Sequence, residues 1–157
     1  MKEGGAMLRI AICDDEQTCL DKTQAMLEQY GADNGLEFAA ETFFGSSALL
    51  DCVESGERYD IYLLDIYMPG VSGMSVATEL RSKGVRSPII FLTSSTEHAV
   101  EAFGVDATHY LLKPYTQQLM AWMPPIICSS PTRSSFFSLR WIRLCKASSP
   151  IPRRVLC

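Results

Sequence analysis

Two short stretches, Ile61 to Leu64 (IYLL) and Ile89 to Leu92 (IIFL), carry no charged residue, and each runs into a polar turn followed by apolar residues at helical spacing. A strand wet on one face alternates apolar with polar positions. Unbroken runs this short therefore suit strands covered on both faces, as in the middle of a parallel sheet.

Leu8 to Cys13 (LRIAIC) reads as another buried strand, stopping in the acidic pair Asp14 and Asp15. Leu36 to Phe43 (LEFAAETF) mixes apolar and charged positions, as an edge strand with one wet face does, and Tyr110 to Leu112 is a fifth short strand. Between them, helical spacing predicts helices over Glu16 to Tyr30 with Gly31 as the stop, Gly45 to Ser55, Ser72 to Ser82, Thr96 to Phe103, and Thr116 to Met123 before Pro124 and Pro125. Five strands alternating with five helices imply an α/β fold, a doubly wound five-stranded parallel sheet with right-handed crossovers.

In such a sheet the working site lies at the carboxyl ends of the strands. Asp14 and Asp15 stand after the first strand, Asp65 after the third, Thr93 after the fourth and Lys113 after the fifth. Singly, each has an ordinary explanation as a helix cap, a turn residue or rim charge. Together, three converging carboxylates repel one another unless a cation sits among them. A hard divalent ion with oxygen ligands answers that, and magnesium suits a site whose waters a phosphate replaces. The Lys113 ammonium and the Thr93 hydroxyl both match phosphoryl oxygens. This is the inventory of an aspartyl-phosphate site.

The segments CDDE, LLDIYMPGVSG, FLTSS and HYLLKPY resemble, in order and approximate spacing, the motifs of response-regulator receiver domains of two-component signalling. The wording IAICDDE and AFGVDATHYLLKPY is most similar to receivers attached to LytTR-type DNA-binding domains. The resemblance implies a flavodoxin-like fold with strand order 2-1-3-4-5 over residues 7–123. It implies that Asp65 takes a phosphoryl group from a sensor histidine kinase. Mg2+ would be held by Asp14, Asp15, Asp65 and the backbone carbonyl of Tyr67, with Thr93 and Lys113 on the phosphoryl group and Tyr110 switching with Thr93. It also implies a phosphoacceptor switch that is no enzyme beyond its own phosphorylation and dephosphorylation, and a possible homodimer through the fourth helix, fifth strand and fifth helix. An aspartyl-nucleophile phosphatase is the enzyme alternative, but its DxD motif is absent from the first strand. A flavin mononucleotide binder would need small residues where Cys13-Asp14-Asp15-Glu16 stands.

Charge divides the chain. All 18 acidic residues lie in residues 1–106, whereas residues 107–157 hold 7 of the 14 basic residues and no acid. Residues 124–157 form an atypical basic tail with five prolines and three cysteines, not expected to be an independent domain. Only 34 residues follow Met123, too few for a complete output domain of roughly a hundred. The preferred reading is out-of-frame or truncated sequence in place of an effector. The rival is a nucleic-acid-binding arm using Arg140, Arg143, Lys146, Arg153 and Arg154 between Phe137 and Trp141. DNA is thus a partner only if an output domain or this tail supplies the contact.

Six cysteines without a CxxC pair read as buried free thiols, and a zinc site is not expected of them or of His98 and His109. No 18-residue apolar stretch and no signal-peptide layout is present, so a cytoplasmic location without membrane contact is expected.

Overall fold

A computed structural model describes residues 7–94, 104–107 and 109–113. Its strands are β1 (Leu8–Asp14), β2 (Phe38–Phe44), β3 (Ile61–Leu64), β4 (Ile89–Thr93) and β5 (His109–Leu112), and its helices α1 (Gln17–Asn34), α2 (Ser46–Glu54) and α3 (Gly73–Ser82). The expected helices over 96–103 and 116–123, and the tail 124–157, lie outside the described residues. All strands pair in parallel in the order β2-β1-β3-β4-β5, the arrangement expected of the flavodoxin-like class.

The period of two along the strands sorts the core into two layers. Ile10, Ile12, Ile61, Leu63, Ile90 and Leu92 pack on one face with Leu20, Leu27 and Tyr30 of α1. Ala11, Cys13, Tyr62, Leu64, Ile89 and Phe91 pack on the other with Leu49 and Val53 of α2 and Val76, Ala77 and Leu80 of α3. Every residue of β3 and β4 is buried, as their unbroken apolar runs require. β2 lies at the edge and is mostly half-buried.

Two local readings change. Gly31 does not stop α1. The helix continues to Asn34, and Gly35, at φ 66°, caps it by donating its N–H to the Gly31 carbonyl. Gly31 is small because a Cβ there would stand 2.8 Å from the Leu36 carbonyl oxygen and 3.0 Å from the Phe38 ring as the chain turns back into β2. Among the described residues the thiols of Cys13, Cys19 and Cys52 are free, but Cys13 alone of these three is buried, while Cys19 and Cys52 are half-buried; the other three cysteines lie outside the described residues. At α3, Ser72 is the cap: its hydroxyl oxygen accepts from the Ser75 N–H at 3.2 Å. Among the described residues no helix is long and apolar enough to cross a membrane.

Candidate functional site

The parallel sheet brings the strand ends to one edge. Asp14 is the last residue of β1, Asp65 immediately follows β3, Thr93 ends β4 and Lys113 immediately follows β5. The ladder extends past the strands: the Asp65 N–H donates to the Cys13 carbonyl at 2.9 Å and the Lys113 N–H to the Thr93 carbonyl at 2.8 Å. Backbone hydrogen bonds thus set the height of Asp65 and of Lys113 relative to their neighbours.

One oxygen from each of Asp14, Asp15 and Asp65 lies within 4.8 Å of the others. Asp14 and Asp65 are buried, and Asp15 is half-exposed at the mouth. Lys113 reaches over them, with Nζ 2.7 Å from Asp14 Oδ2 and 3.7 Å from Asp65 Oδ2. The other Asp14 oxygen, Oδ1, accepts from the Glu16 N–H at 2.9 Å. Thr93 is fully buried.

Burial pushes the Asp65 carboxyl up from an ordinary 3.8 to about 6. The Lys113 charge pulls against that, the Asp14 charge adds to it, and backbone hydrogen bonds from Ile66 and Tyr67 oppose it. Burial also disfavours the Lys113 charge, but the hydrogen bond it donates to Asp14 and the charges of Asp65 and Asp14 outweigh it, so its ammonium is held well above the usual range. Asp65 is therefore a carboxylate kept in an expensive charged form beside one strong cation.

Tyr67 follows Asp65 by two residues in the β3–α3 loop, with its side chain exposed. Tyr110 is half-buried on β5, its ring 6.4 Å from Phe91 and tilted by 57°. It lies against the α2–α3 side of the sheet. Of the proposed dimer face, only β5 falls within the described residues.

Three contributors escape sequence reasoning. Gly73, which turn chemistry alone would explain, packs its Cα on the Asp65 backbone, where a Cβ would collide with the carbonyl. Cys13 lies beneath the site, its thiol donating to the Gly45 carbonyl at 3.3 Å, and burial followed by the Asp14, Asp65 and Asp15 charges pushes it up to about 12. Cys19 meets the Lys113 ammonium at 3.5 Å on the rim, and its thiol donates to Glu16 at 3.3 Å. No motif spacing signals these contacts.

Residues 10–123 match the family described as the response regulator receiver domain. The chain belongs to that family. The receiver is 32% identical over 153 residues to an uncharacterized response regulatory protein of Yersinia pestis, covering 96% of this chain and 58% of that one, which carries the alignment past residue 123. It is 31% identical to the sensory transduction protein LytT of Bacillus cereus, covering 71% of this chain and 44% of LytT, in keeping with the LytTR-type wording. The chain thus spans about half the length of these curated relatives. Among solved structures, the response regulator TrrA of Thermotoga maritima in complex with Mg(2+)-BeF is 28% identical with a TM-score of 0.67, over 76% of this chain and 99% of that one. The receiver is therefore a two-component receiver domain, a family that works with sensor histidine kinases.

Proposed function

We propose that the receiver is a phosphorylation-operated switch in which Asp65 accepts a phosphoryl group from the phosphohistidine of a sensor kinase. The observation that carries this reading is the convergence of Asp14, Asp15 and Asp65 within 4.8 Å, with the Lys113 ammonium 2.7 Å from Asp14. Neighbouring carboxylates have no stabilising purpose of their own.

The donor set fits magnesium: it is all oxygen and acidic, with one carboxylate near the mouth and two buried. Asp14, Asp15, Asp65 and the Tyr67 carbonyl would hold the ion. When bound, Mg2+ offsets the charge of the acceptor and of the incoming phosphoryl oxygens.

The protein's own groups do the rest. An Asp65 carboxylate oxygen forms a bond to phosphorus as the phosphorus–nitrogen bond of the donor breaks, and the electron pair returns to the imidazole. No proton has to leave Asp65 first, because it reacts as the carboxylate. Lys113 supplies a point charge to the phosphoryl oxygens, and Thr93 a hydroxyl at the end of the neighbouring strand. The new group adds up to two negative charges and three acceptor oxygens. That draws Thr93 and Lys113 inward and gives Tyr110 a second resting place, so β5 carries the signal. In this reading the chain acts on itself and turns over no outside substrate. A homodimer through the face that includes β5, or DNA contact outside residues 7–123, would be the output.

Incubation with acetyl phosphate and magnesium, followed by intact mass measurement, tests the reading. The native chain gains one phosphoryl group and Asp65→Ala gains none; an unmodified native chain, or equal gain by the variant, sinks it.

A further inference from the structure

Arg81 stands near the C-terminal end of α3, away from the carboxylates. Its guanidinium donates to four backbone carbonyls: from Nη1 to Val85 and to Ser87, both at 2.9 Å, from Nε to Val105 at 3.1 Å and from Nη2 to Asp106 at 2.8 Å. The first two belong to the connection into β4, the other two to the turn that leads into β5. Among the described residues Asp106 is the one non-glycine at positive φ, at 53°. Aspartate tolerates that conformation better than most residues with a Cβ but still less well than glycine, and the bond from Arg81 to its carbonyl favours it. A planar cation with fixed, forked donors suits four carbonyls on two separate segments, and a lysine would not reproduce it.

β5 is four residues long and at the sheet edge. Its position depends on the ladder to β4 and on the turn that launches it, and Lys113 follows it directly. At the opposite end of the same helix, Gly73 rests on the Asp65 backbone. The helix α3 thus spans from the acceptor loop to the turn before β5.

We propose that Arg81 is a positioning residue for the phosphoryl site: by clamping Val105 and Asp106 it sets the register of β5 and hence the reach of Lys113 to Asp14 and Asp65. The inference rests on Lys113 acting in the phosphoryl chemistry at Asp65 proposed above.

The test is the initial rate of phosphorylation by acetyl phosphate with magnesium, read by intact mass on the full chain and normalised to the folded fraction from circular dichroism. Arg81→Met lowers this rate about 5- to 20-fold, the scale of a small misplacement of a reacting group. Adding Asp106→Gly to Arg81→Met recovers part of the loss, because glycine adopts positive φ without penalty. In a Lys113→Met background, Arg81→Met has no further effect, the signature of action through that lysine. A purely structural role would lower the unfolding midpoint and leave the rate per folded molecule at the native value, and that result overturns the proposal. If Arg81→Met does not fold, Arg81→Gln takes its place under the same criterion. A native chain that gains no phosphoryl group overturns the Asp65 assignment together with this one, whereas native phosphorylation matched in rate by the variant overturns the role of Arg81 alone.

Discussion

Gly73 opens α3 with its Cα lying against the carbonyl of Asp65. A Cβ at that position would overlap the carbonyl oxygen and stand 2.8 Å from its carbon. The atoms it would meet are backbone, which cannot rotate away as a side-chain tip does. The Gly73 N–H also donates to the Ile66 carbonyl at 3.0 Å, closing the loop that follows Asp65.

Gly73→Ala should therefore cost stability on the order of 1–3 kcal/mol, the range for overpacking against rigid neighbours. Urea denaturation measures it, and a midpoint unchanged from the native chain would show that the loop yields freely.

Asp65→Asn should stabilise the magnesium-free protein at pH 8. The folded carboxyl releases its proton near 6 rather than at the ordinary 3.8, so the folded state holds that proton more tightly than the unfolded one. The cost of the charge is fully present above pH 6 and disappears below 3.8, and the asparagine escapes it. The expected gain is about 1–3 kcal/mol at pH 8, shrinking as pH falls through that window. Paired urea titrations at pH 8 and near the lower limit decide it, and a gain independent of pH would be the contrary result.

Magnesium should raise the urea midpoint of the native chain, because a ligand that binds only the folded state stabilises it by mass action. Asp15→Asn should abolish most of that rise, since its carboxylate stands at the mouth beside Asp14 and Asp65. An equal rise in the variant would place the ion elsewhere.

Cys13 should resist iodoacetamide in the native protein at pH 8. Its thiol is buried, hydrogen-bonded to the Gly45 carbonyl and pushed up to about 12, and the thiolate is the reactive form. Peptide mapping should find it alkylated only after denaturation; labelling at the same rate in both states would contradict its burial.

The strands were legible because their signals are local. The runs IYLL and IIFL are apolar throughout since β3 and β4 have neighbours on both faces, and LEFAAETF is mixed since β2 is an edge. The glycines were harder. Gly31 and Gly73 look like a helix stop and a turn residue, yet both are small because backbone from another element passes within contact distance. Gly35, the true cap of α1, carries the same residue type four positions later. Arg81 has no sequence signal at all, since its partners are backbone carbonyls that any residue would offer.

Asp14, Asp15, Asp65, Thr93 and Lys113 could be named from order along the chain, because a polar residue ending an apolar strand marks the carboxyl edge of a parallel sheet wherever it occurs. Their mutual distances and burial could not. Lys113 meets Asp14 across 99 positions of sequence at 2.7 Å, and that meeting exists only because the sheet places β1 beside β3 and β5 beside β4. The upward push on Asp65 likewise comes from the packed layers that remove water from it. Periodicity and residue type are properties of a short segment, whereas proximity and desolvation arise only when distant segments pack.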